Sequence, residues 1–157
     1  MTDTKSLQST QDYSIQKLPC VGLFRRLLAI LYDSFLLAAI LFIVSAIATT
    51  INHGKAVEPG DILYPFLVIT IFTLSYLYFA WFWIHNGQTL GMKTWKIQLT
   101  AENNNKINWK TTAIRFVSAF FSWGVFGLGF LWSLFDKKKR CWHDLISKTM
   151  LVDLKDD

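Results

Sequence analysis

The sequence predicts an all-α membrane bundle. It has two transmembrane helices, a glycine-broken third span or re-entrant helix pair, and a small cytoplasmic β-hairpin. Three observations lead there. The chain is 52% hydrophobic and only 17% charged, well below the quarter charged that soluble domains usually carry. Its apolar residues are gathered into blocks at 27–51, 63–84 and 113–135, each long enough to cross a hydrocarbon core of about 30 Å as a helix. The glycines Gly124, Gly127 and Gly129 fall in the middle of the last block, where they let a helix break or a neighbour approach closely.

The first block contains a single charge, Asp33, the second none, and the third only Arg115. A soluble helix of this length would need a polar stripe, which the second block lacks. The polar residues 1–19 read as a disordered cytoplasmic tail, and residues 20–157 as one membrane domain. The small residues of 45–48 do not mark a cleavable leader. The apolar stretch before them is too long, holds an aspartate and is followed by further spans.

Orientation follows the lysines and arginines of the short loops. Lys5, Lys17, Arg25 and Arg26 precede the first block, and Lys93, Lys96, Lys106 and Lys110 lie between the second and third. Lys137, Lys138, Lys139, Arg140, Lys148 and Lys155 follow the third. The first loop has only Lys55, beside Glu58 and Asp61. This places the N-terminus, second loop and C-terminus in the cytoplasm of an inner-membrane, multi-pass protein. Three plain crossings would leave the C-terminus outside. The third block is therefore read as a helix to about Trp123, a glycine-rich turn and a shorter return to Phe135. In the second loop, 94–100 alternates apolar and polar residues, 103–105 is an asparagine turn and 106–109 alternates again. These, with an apolar run at 149–154, predict short cytoplasmic strands.

The residues that call for explanation are charged. Asp33 sits inside a span, where a carboxylate costs at least about 2.5–3.5 kcal/mol. Arg26 is seven residues earlier, on the same helix face but about 10 Å away, and can reach the interface with its long stem. Arg115 is the better placed partner for Asp33. Two readings stand side by side: Asp33 handles an ion or proton, or it is half of a structural ion pair. Asp144 is likewise open, either a solvated or capping carboxylate or one that folds back onto Arg26 or Arg25.

Cys20 and Cys141 lack CxxC spacing and the three histidines are scattered, so the residues specify no metal or cofactor. No nucleophile motif or carboxylate pair suggests an enzyme. The basic run at 137–140 reads as an anchor to anionic lipid heads rather than to nucleic acid. Gly87 and Gly91 stand in a polar loop and read as a tight turn, not a dimerisation face.

Three stretches occur in an order that resembles the RDD family of membrane proteins. They are Arg26 to Asp33 opening the first span, Gly87-Gln88-Thr89-Leu90-Gly91-Met92-Lys93 after the second, and Asp136, the basic run and His143-Asp144-Leu145-Ile146-Ser147-Lys148-Thr149 near the end. The resemblance covers about residues 23–152. It implies that the family's arginine and two aspartates correspond to Arg26, Asp33 and Asp144, with Asp136 a second candidate for the last. It also implies a role in transport of an ion or small ligand. The other reading is a membrane-anchored interaction subunit. So small a chain would need a homo-oligomer or a membrane partner to enclose a route.

Overall fold

A computed structural model of the chain describes residues 19–102, 106–125 and 127–154. Residues 1–18 of the expected tail, and the expected turn at 103–105, lie outside the described residues. Two long helices come first, α1 (Leu23–Ile51) and α2 (Leu63–His85), both long and apolar enough to cross a membrane. Their packing is inverted relative to a soluble protein. The residues α1 buries are Arg26, Ala29 and Asp33, whereas Phe35, Phe42 and Ile43 are exposed. On α2 the buried residues are Ser75 and Ala80. Small and polar side chains face inward and large apolar ones outward, as expected of helices solvated by lipid.

A short helix, α3 (Leu90–Thr94), leads into β1 (Ile97–Ala101). The chain then enters α4 (Trp109–Gly124), whose first turn is capped by Asn108 accepting from the Thr111 amide at 2.9 Å. Thr112, Arg115, Ser118 and Ser122 make a buried polar stripe on α4, again directed inward. The helix ends before Gly127, which adopts φ 73°, a conformation that glycine alone enters freely. The chain resumes as α5 (Leu128–Leu131) and a 3-10 turn (Trp132–Leu134). This second piece runs at 106° to α4, so the third apolar block is bent, as its glycines predicted. Gly129 lies so close to Ser122 that a Cβ there would meet the serine Cβ at 2.6 Å.

Finally α6 (Trp142–Ile146) precedes β2 (Thr149–Asp153), which pairs antiparallel with β1 in the register Leu99↔Leu151. Cys20 adds a bridge to Val152. The sheet is thus not the predicted hairpin. Thr94 ends a helical turn, the strand starts at Ile97, and residues 106–108 carry no strand. Two local preferences explain this. Thr89 caps α3 by accepting from the Met92 amide, and Asn108 commits its segment to starting α4. The strand partner is instead the apolar run at 149–153, which buries Ile97, Leu99, Leu151 and Val21 together.

Candidate functional site: an arginine pair, two aspartates and a cavity

At the end of the bundle where the sheet packs, three charged side chains meet. Asp144 of α6 is wholly buried, and Arg26 and Arg115 are only 2% and 4% exposed. Arg26 Nη1 donates to Asp144 Oδ2, and Arg115 Nη1 donates to Oδ1 at 2.5 Å. Each carboxylate oxygen therefore has its own guanidinium. The Cys141 amide adds a third donor at 2.9 Å, because Asp144 stands at the third position of α6, where it reaches back to cap the helix start. Arg115 also donates to Thr149 Oγ1 at 2.7 Å and lies 5.2 Å above the Trp83 ring. Burial alone would push the Asp144 carboxyl up, but Arg115 and Arg26 outweigh it and hold it well below the usual carboxylate range.

Asp33 is handled differently. Among the described residues no arginine or lysine pairs with it, so the expected Asp33–Arg115 contact does not form. Arg115 is turned to Asp144, which is nearer the sheet and binds it through a full charge. Asp33 instead accepts from three neutral donors: the Tyr78 hydroxyl at 3.0 Å, the Gly91 amide at 2.9 Å and the Thr89 hydroxyl. These donors satisfy a buried carboxylate without a counter-charge and fasten α3 to α1. The close approach requires glycine at 91, where a Cβ would collide with the Ala29 carbonyl and sit 2.9 Å from the Asp33 carboxylate.

Asp136 does not join the cluster. It accepts from Arg140 Nε at 3.0 Å, and Arg140 also reaches Glu102 at 2.8 Å. That network is partly exposed and separate from Asp144, because four residues in a turn let Asp136 and Arg140 pair locally. Arg25, one residue before Arg26, faces another way and binds Asp153 and the Trp95 carbonyl. Thr89, Trp83 and Thr149 were missed as site residues by sequence reasoning, although Thr89 and Thr149 stand within the 87–93 and 143–149 stretches.

Above the arginines, a cavity of about 400 Å³ lies between α1 and α4, with Asp33, Arg26, Arg115, Trp83 and His143 in its wall. Several buried polar atoms of that wall have no hydrogen-bond partner among the described residues: Arg26 Nη2, Arg115 Nε, Trp83 Nε1 and His143 Nδ1. Each buried donor left so costs roughly 1–3 kcal/mol. Cys141, His143 and Asp144 place possible ligand atoms within 4.8 Å of one another. The two guanidiniums on Asp144 occupy the ground a metal cation would need, so the trio is a poor cation site.

His143 sets an acid limit on the fold. Burial pushes its imidazole down to about 3; Asp144 opposes this and the two guanidiniums reinforce it. An unfolded histidine binds a proton near 6.5, so between about 6.5 and about 3 unfolding takes up a proton. Stability present above that window should fall as pH is lowered through it. Thermal unfolding at about pH 7.5 and about pH 5 should show this slope, and His143→Phe should flatten it. An unchanged slope in the variant would place the acid sensitivity elsewhere.

Apolar spanning helices around a buried Arg–Asp–Arg cluster, with a second buried aspartate beside a cavity, define a helical membrane protein with a charged interior. The RDD family model matches residues 20–148, and the chain belongs to the RDD family. Arg26, Asp33 and Asp144, which the resemblance sets against the family's arginine and aspartates, are all buried, whereas the alternative Asp136 is partly exposed. No curated protein and no solved structure is significantly similar to the chain.

Proposed function

We propose that the protein moves an ion or small ligand across the inner membrane, with its N- and C-termini in the cytoplasm and the Arg–Asp cluster at the cytoplasmic end. It acts as a transporter rather than an enzyme, and its size calls for a homo-oligomer or a membrane partner. The observation that supports this reading is the cavity. Asp33 faces it without a cationic partner among the described residues, and Arg26 and Arg115, each with a buried unpartnered nitrogen, are among its lining residues. A purely structural cluster has no need of such a space. Intramembrane acids in that setting commonly serve an ion or substrate path. The competing reading, a membrane-anchored interaction subunit, draws on the saturation of Asp144 by two arginines, which is what a structural clamp requires.

Asp33→Asn separates them. The amide oxygen still accepts from Tyr78 and Gly91, and the Thr89 hydroxyl can turn to accept from the new NH2 group, so the fold should persist. In proteoliposomes with imposed Na⁺, K⁺, proton and carboxylate gradients, the wild type should carry flux and the variant should not. Normal flux in the variant removes Asp33 from the mechanism. No flux in wild type under any gradient supports the interaction subunit.

A further inference from the structure

Resting on the transport reading, we infer that the cavity between α1 and α4 binds a single-chain amphiphilic monoanion, a long-chain carboxylate, with its acid group on Arg26, Arg115 and Trp83. Charge, donors and shape each support this ligand.

Arg26 and Arg115 bring two positive charges to the site and Asp144 cancels one. The remaining charge suits a monoanion. Asp33 lines the same cavity; Tyr78, Thr89 and Gly91 fill its acceptor sites without cancelling its charge, and what keeps it apart from the acid group is its place about two helical turns, or ~10 Å, from Arg26. His143, the other titratable group in the wall, is held neutral by burial above about pH 3 and so adds no charge.

The donors come next. Arg26 Nη2, Arg115 Nε and Trp83 Nε1 are buried and unpartnered among the described residues, and all belong to side chains that line one space. Both arginines are more than nine-tenths buried. An oxyanion there receives charge-assisted hydrogen bonds, stronger than those to a neutral group.

The rest of the wall is apolar. Ile30 and Leu37 come from α1, Ala119 and Phe120 from α4, and Phe79 from α2, which packs against both of the others. The cavity therefore continues from its charged floor along the membrane-spanning parts of the helices, where an alkyl chain is favoured. A free inorganic anion would leave these walls without a partner. At about 400 Å³ the space lies within the roughly 300–1,000 Å³ typical of small-molecule pockets, at its small end, which fits one chain better than the two of a phospholipid.

Binding of labelled palmitate to the full-length protein in phosphatidylcholine nanodiscs tests this, with hexadecanol and acetate as competitors. Palmitate should bind saturably, and hexadecanol and acetate should compete at least about tenfold more weakly than unlabelled palmitate, which is the weight of one charge-assisted hydrogen bond. Trp83→Phe removes one donor, and Ala119→Phe fills the cavity one helical turn beyond Arg115 without removing a donor. Each should weaken palmitate binding by roughly tenfold while leaving the melting temperature near wild type. Equal competition by hexadecanol overturns the inference, as does unaltered binding in both variants. Displacement of palmitate on doping the discs with phosphatidylglycerol also overturns it, because the occupant is then a phospholipid headgroup. Palmitate binding without flux sinks the transport reading and leaves the ligand standing; flux without palmitate binding does the reverse.

Discussion

Asp144→Asn should be among the most damaging single substitutions in this chain, costing on the order of 3–5 kcal/mol, the usual cost of removing one partner from a buried ion pair. The reason is geometric. Asp144 is wholly buried and is the common acceptor for Arg26 and Arg115, which are almost as deeply buried. An asparagine offers one oxygen and turns an NH2 group toward the other guanidinium, so a buried cation loses its counter-charge. The effect should spread, because Asp144 joins α6 to α1 and α4 and also closes the start of α6 through the Cys141 amide. Thermal unfolding in detergent measures it. Asp136→Asn is the internal comparison. Its partners are Arg140 and the nearby backbone at a partly exposed site, and such pairs contribute about 0–1 kcal/mol. Equal losses in the two variants would show that the cluster assignment is wrong.

Gly91→Ala should be the second large effect, destabilising by about 1–3 kcal/mol or more, as overpacking of a tight contact does. The added methyl meets the Ala29 main-chain carbonyl and the Asp33 carboxylate. A backbone oxygen cannot swing aside as a flexible side chain can, so α3 must lift from α1. Lifting it weakens the Gly91 amide and Thr89 hydroxyl bonds to Asp33 and strips donors from a buried charge. Gly124→Ala is the control, since a Cβ there has nothing within 4 Å. A melting temperature for Gly91→Ala indistinguishable from that of Gly124→Ala would mean that the 87–94 segment does not dock this closely.

The elements are largely legible in the sequence. Asp33 alone in a long apolar run, and Arg115 alone in another, marked both residues as needing explanation, and both are buried at the charged end. The bend after Gly124 was legible because glycine stands where a helix of this composition would otherwise continue. The strand pairing was not. Residues 94–100 and 106–109 both alternate, and alternation states that a segment can form a strand without stating its partner. The capping side chains of Thr89 and Asn108 decided against the local hairpin, and the apolar run at 149–153 supplied the edge.

The sequence by itself determined that this chain is built of long apolar helices, that its third apolar block breaks at glycines, and that Asp33 and Arg115 stand as lone charges in apolar runs. Hydropathy and backbone freedom are local properties and can be read residue by residue. Only the tertiary structure decided which acid meets which base. Arg115 goes to Asp144 rather than Asp33, and Asp33 to a tyrosine, a threonine and a glycine amide, because pairing among buried charges depends on distances across the bundle. Those distances are fixed by how α6, the sheet and the 87–94 segment close over the end of α1, and sequence separations of 29 to 118 residues carry no record of them.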